Sequence, residues 1–134
     1  MDPGPVEQLG PGRSARAATV ATVAAIADLH RVDVSQAQFL DFDLPGATPL
    51  RRHVENQRRF YEWVRGARHF PLIERTFDWL DAHWPTDEGR AVISWGDSRI
   101  GNVMYEPEGW RPVAVLDWEM AALGPRELDL GWLC

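Results

Sequence analysis

The sequence predicts an α+β fold, mainly helical with a small β-hairpin, and three observations predict it. Helix-period apolar stripes fill the first two thirds of the 134-residue chain. The period then changes to that of short strands. A Pro107-Glu108-Gly109 turn joins two of those strands as a hairpin.

The elements follow in order. Residues 1–13 hold three prolines and three glycines and read as a flexible Pro/Gly leader. Ser14 is the expected N-cap of a first helix reaching Arg31, with Val20, Val23, Ala24 and Ala27 as its apolar face. Residues 32–49 read as irregular, broken by Pro45-Gly46 and Pro49. A second helix is expected from Leu50 to Arg65, with Leu50, Val54, Gln57, Tyr61 and Val64 on one side and Gly66 just past its end. A third starts at Pro71, a residue suited to the first helical position, and carries Ile73, Phe77, Leu80 and Trp84 up to the stop at Pro85. Ala91 to Ser94 reads as a buried strand. Asn102 to Glu106 and Val113 to Leu116 form the hairpin, and Gly124-Pro125 opens a last element over Arg126 to Trp132.

Composition narrows the function classes. Hydrophobic residues make up 45% of the chain, enough for a core, and seven are tryptophans. A net charge of −6 argues against nucleic-acid binding, which calls for a basic face, and suits a cationic substrate or a divalent metal. All 14 basic residues are arginine. The one cysteine is Cys134, so no intrachain disulfide forms and a cytoplasmic location is the default. No apolar run approaches the roughly 20 residues of a membrane span. The Ala17–Ala27 stretch contains threonines and runs into Asp28, His30 and Arg31, unlike a signal peptide. The four histidines lack the spacing of a zinc site. Ser98 has no histidine near it and no nucleophile-elbow motif, so acyl transfer is not expected. The arginines at 51, 52, 58, 59, 65 and 68 read as a solvated helix face, and Trp63, Trp79 and Trp84 as core or lobe interface.

The chemistry-bearing stretch runs from Ile93 to Leu133. Asp97 follows a buried strand and a glycine, Asn102 stands five residues on, and Asp117 ends the second hairpin strand. Phosphoryl transfer needs a carboxylate beside the acceptor hydroxyl, and an Asn and a second Asp to hold the magnesium that bridges the phosphates. The Asp97–Asn102 spacing is that of a kinase catalytic loop, and a tight hairpin would return Asp117 to it.

This stretch resembles the aminoglycoside phosphotransferase family, which includes choline kinases. It is most similar to the subgroup found alone or fused to acyl-CoA dehydrogenases. The resemblance rests on Trp95-Gly96-Asp97, Asn102, Leu116-Asp117-Trp118-Glu119, Gly124-Pro125 and Asp129-Leu130. Leu29-His30-Arg31-Val32-Asp33 adds a helix-ending motif of the family. It spans about residues 15–133, with the specific part at 93–133. It implies a protein-kinase-like C-terminal lobe over residues 14–134, incomplete at both ends. It also implies an ATP- and Mg2+-dependent transfer to a small-molecule hydroxyl. Asp97 would be the catalytic base, Asn102 and Asp117 the metal ligands, Asp129 a buried carboxylate bracing the loop, and Arg99 a cation for the transferring phosphoryl.

The departures are specific. Trp95 stands where the family has a loop-supporting histidine, and Arg126 near its usual Asp-Pro step. Nothing before residue 93 reads as a nucleotide-binding lobe with a Gly-rich loop, and no lysine can clamp the ATP phosphates. The expectation is a chain inactive by itself, completed by a missing-lobe partner. The alternative is a non-catalytic interaction module or homodimer, with Trp79, Trp84, Trp132 and Leu133 at the uncovered surface.

Overall fold

A computed structural model describes residues 11–133, and the side chains from residue 15 onward. The first helix, α1, runs from Pro11 to Leu29. It therefore starts three residues before the expected cap at Ser14. The rest of the expected leader, residues 1–10, lies outside the described residues.

The buried side of α1 also differs from the expected stripe. Ala18, Thr22 and Ile26 face inward, while Val20 and Val23 are exposed. The residues at 18, 22 and 26 are four apart and share one face. Thr22 is tolerated inside because its hydroxyl is satisfied twice, by the Ala18 carbonyl at 2.9 Å and by the Tyr105 hydroxyl at 2.5 Å.

Residues 34–40, expected to be irregular, form a 3₁₀ segment capped by Asp33, whose side chain accepts from the Ser35 N–H. The buried Ala37 lies in it. Helix α2 spans Pro49–Arg65. Thr48 caps it by accepting from the Arg51 N–H, Pro49 needs no helical donor, and Gly66 ends it at φ +55°. Helix α3 spans Pro71–Ala82 and stops three residues before Pro85.

The basic run on α2 is largely engaged. Arg52 forks onto Asp41 at 2.9 and 2.7 Å, Arg58 reaches Asp81, and Arg65 reaches Glu62. Arg51 lies 3.6 Å over the Trp84 ring, and the Trp84 indole donates to Glu88. Trp84 is thus a half-buried support rather than part of an uncovered surface, and Leu133 packs against a core cluster.

Four short strands make two antiparallel pairs. β1 (Ala91–Ser94) pairs with β4 (Ala122–Pro125), and β2 (Val103–Tyr105) with β3 (Pro112–Val115). The sequence signal missed β4, because Gly124-Pro125 reads as a breaker. All four of its residues are buried, and Pro125 sits opposite Ala91 at the end of the ladder, where a missing N–H costs least. Helix α4 follows over Glu127–Leu133.

Two apolar clusters hold the β-unit. Ile26, Trp95 and Val103 form one, and Ala37, Ile93 and Leu123 the other; Leu29 packs against both. The C-terminal end of α1 is therefore fixed directly behind β1 and the loop that follows it. Among the described residues, no helix is long and apolar enough to cross a membrane.

Candidate active site

β1 delivers the chain into Trp95-Gly96-Asp97-Ser98-Arg99, and a short 3₁₀ turn over Ile100–Asn102 carries it into β2. Gly96 adopts φ +90°, and a Cβ there would lie 2.4 Å from the Met120 carbonyl oxygen. Only glycine permits that backbone and that approach. The close contact places the 118–121 segment against the residue before Asp97.

Asp129 anchors this loop from behind. It is fully buried. Its carboxylate accepts from the Trp95 N–H at 3.0 Å, the Gly96 N–H at 2.8 Å and the Ser94 hydroxyl at 2.9 Å. His30 Nε2 lies 2.8 Å from the same carboxylate. The backbone carbonyl of Asp129 in turn accepts from the Ser98 hydroxyl at 2.7 Å. A buried carboxylate persists only with such partners, and two of them here are backbone N–H groups of the loop that carries Asp97.

Asp97 is buried, at 6% exposure. Its Oδ2 accepts from Arg99 at 2.6 Å and from the Asn102 amide at 2.7 Å, and its Oδ1 accepts from the Trp132 indole at 2.6 Å. The hydrogen bond from the Arg99 guanidinium is the main cause holding its carboxyl below the usual carboxylate range. Trp132 and Asn102 add to it against the opposing effect of burial. Arg99 is pushed up in turn, chiefly by Asp97, and the charge of Asp117 also acts on it. Its guanidinium is ion-paired with Asp97, so it is not simply a solvated cation.

Asp117 is reached through the backbone. The Leu116 N–H donates to the Asn102 carbonyl at 2.8 Å, which ties the end of β3 to the loop that carries Asp97 and Asn102. The Trp95 indole donates to the Leu116 carbonyl at 2.9 Å and to the Asp117 carbonyl at 3.2 Å. Trp95 thus fills the core and pins the hairpin exit with its one polar atom. Asp117 adopts φ +62°, a left-handed conformation uncommon outside glycine, and its side chain is exposed.

The donor set suits magnesium. The Asn102 Nδ2 is turned onto Asp97, which leaves its Oδ1 facing away, and the Asp117 carboxylate is exposed. Both are hard oxygen donors. Magnesium takes one or two protein carboxylates and completes its shell with phosphates and water. In keeping with that sparse provision, the described residues contain no cluster of three or more His, Cys, Asp or Glu able to hold a metal alone.

Four participants escaped the sequence reading. Ser94 and Ser98 are common residues whose partner lies more than thirty positions away. His30 was visible in its helix-ending motif, but its contact with Asp129 spans the chain. Trp132 was read as uncovered surface, and it is half exposed, yet its indole N–H is committed to Asp97.

A groove of about 690 Å3 opens beside this unit, walled by Phe42, His53, Phe60 and Trp63 on one side and Met120 and Ala121 on the other. The Nδ1 of His53 is buried without a partner there, and desolvation pushes this imidazole toward neutrality.

Comparison with known proteins places the chain in a family. The chain is 29% identical over 111 residues to human acyl-CoA dehydrogenase family member 11, covering 83% of this chain and 14% of that protein. It is 32% identical over 106 residues to acyl-CoA dehydrogenase family member 10 of Mus musculus, covering 79% of this chain and 10% of that one. The chain thus spans a small fraction of these relatives. A solved chain from Ralstonia eutropha, assigned as an aminoglycoside phosphotransferase, superposes with a TM-score of 0.73 at 30% identity. That match covers 98% of this chain and 38% of the other. A macrolide 2′-phosphotransferase from Brachybacterium faecium superposes at 0.60 with 22% identity, covering 85% and 38%, and shares the fold. The model of the phosphotransferase enzyme family matches residues 2–134, and the chain belongs to that family.

Proposed function

We propose that this chain supplies the catalytic and metal loops of an ATP- and magnesium-dependent phosphotransferase acting on a small-molecule hydroxyl. The observation that carries the reading is the convergence on one braced loop: Asp97 bonded to Asn102, and Asn102 bonded through its carbonyl to the residue before Asp117.

Each residue then has a role it can perform. Asp97 is ionised at neutral pH, because its carboxyl is held below the usual range. Of its roughly four lone-pair sites, Oδ2 commits two, to Arg99 and Asn102, and Oδ1 commits one, to Trp132. One lone pair on Oδ1 stays open to accept the proton of an acceptor hydroxyl and to orient it. Asn102 Oδ1 and the Asp117 carboxylate would hold the metal. Bound magnesium would neutralise and bridge the nucleotide phosphates. Arg99 spends one donor on Asp97 and keeps others of its guanidinium for phosphoryl oxygens. The groove beside Met120 would hold the acceptor, with the 118–121 segment between it and the loop.

Catalysis of phosphoryl transfer is almost entirely positioning and charge stabilisation. These 134 residues contain no lysine to clamp the phosphates. The chain alone is therefore expected to bind Mg–ATP in the millimolar range and not to turn it over. Calorimetric titration of Mg–ATP, with phosphate transfer followed by 31P NMR, tests both parts. Asp117→Asn should abolish the magnesium-dependent share of binding; if it leaves binding untouched, the metal assignment fails. Robust transfer that disappears in Asp97→Asn would overturn the expectation of inactivity.

A second reading has one observation behind it. Phe60, Trp63, Leu72 and Trp79 are all more than half exposed on α2 and α3. Large apolar side chains left exposed on two consecutive helices are the feature that favours self-association or a partner. Light scattering across a concentration series separates the two: a monomer at high concentration would count against association.

A further inference from the structure

Trp132 lies on α4 three residues after Asp129, one helical turn along the same side. Its side chain is 51% exposed and belongs to neither apolar cluster. Burial therefore does not explain why it is held where it is. Its indole N–H can only donate, and it donates at 2.6 Å to Oδ1 of Asp97.

The other two donors to this carboxylate, Arg99 and Asn102, both act on Oδ2. The terminal torsion of aspartate is broad, so its intrinsic preference does not set the carboxylate plane, and the two donors on Oδ2 restrain it from one edge alone. A donor on Oδ1 holds the opposite edge. We propose that Trp132 is a positioning residue for Asp97. It fixes the carboxylate plane so that the remaining lone pair of Oδ1 faces the acceptor hydroxyl. This rests on the reading of Asp97 as the proton acceptor. Helix α4 then sets the site twice: Asp129 fixes the backbone of the loop, and Trp132 fixes the orientation of the group the loop carries.

The test uses NMR of the 134-residue chain. The indole Nε1–H resonance of Trp132 is assigned by its loss in Trp132→Phe. In Asp97→Asn it should move upfield further than any other of the seven indole signals. The 13Cγ relaxation of Asp97, which senses reorientation of the carboxylate plane about Cβ–Cγ, should report a rigid group in the wild type and a more mobile one in Trp132→Phe. Benzothienylalanine at position 132 keeps the ring shape and deletes only the N–H, and it should give the same gain in mobility if the phenylalanine variant folds poorly. A role in stability alone would lower the melting temperature and leave the Asp97 13Cγ relaxation unchanged. Unchanged relaxation in both variants, or an indole signal indifferent to Asp97→Asn, would overturn the proposal. Neither readout needs nucleotide or turnover, so failure of the phosphotransferase reading in binding and transfer assays is seen separately.

Discussion

Between Ala91 and Leu133 the loop that carries Asp97 is held by a network of hydrogen bonds, many of them buried; helices α2 and α3 contain no fully buried residue at all. The first region is defined by individual atoms, and each change strands a specific donor or acceptor. The second is held by partly exposed pairs, such as Tyr61 to Glu74 and Arg58 to Asp81, and by tilted aromatic contacts such as Tyr61 with Phe77. Exposed pairs of that kind contribute little each. A phosphotransferase site needs atoms placed to within fractions of an ångström, and the network of buried hydrogen bonds is what can supply that.

The largest expected effect that sharpens this contrast is Asp129→Ala. It strands the N–H groups of Trp95 and Gly96, the Ser94 hydroxyl and the His30 ring at once. The expected loss is roughly 3–5 kcal/mol in urea unfolding, with faster amide exchange at Trp95 and Gly96. A loss below about 1 kcal/mol would break the contrast, since single exposed pairs reach that much.

Gly96→Ala comes next. The new methyl meets the Met120 backbone, which cannot retreat like a flexible side chain, and the backbone sits at positive φ. The expected loss is about 3 kcal/mol, accompanied by weaker Mg–ATP binding as the 118–121 segment is pushed off the loop.

A smaller effect is in pH. The folded-state carboxyl of Asp97 is held below its unfolded value, so it adds stability above the unfolded value of roughly 4. That part is lost as pH falls through the lower folded-state value. The stability difference between wild type and Asp97→Asn should therefore shrink on acidification below about pH 4. A difference that grows with acid would mean the carboxyl is raised rather than lowered.

The smallest effect belongs to the other region. Leu72 is 72% exposed on α3, and Leu72→Ser should change stability by no more than about 0.5 kcal/mol. A large loss of stability that depends on protein concentration would show instead that this face is covered by a second copy.

Local and periodic features were legible in the sequence. The helix start at Pro71, the Gly66 stop, β1 and the hairpin around Pro107-Glu108-Gly109 are each dictated within a few residues by dihedral limits or alternation, and the second helix starts one residue before the expected Leu50, at Pro49. The spacing of Asp97, Asn102 and Asp117 predicts a phosphoryl-transfer site, which calls for those groups on one short loop and its return strand; Asp129 stands apart on α4. Tertiary structure decided the rest. β4 forms because β1 offers it a buried edge, overriding the breaker character of Gly124-Pro125. The inward face of α1 is 18-22-26, since a threonine buries cheaply once Tyr105 meets its hydroxyl. The contacts of His30 with Asp129 and of Trp132 with Asp97 join positions that are distant in the chain and share no local pattern. Short-range rules set the elements and the spacing; only packing brings a donor from one element to an acceptor on another.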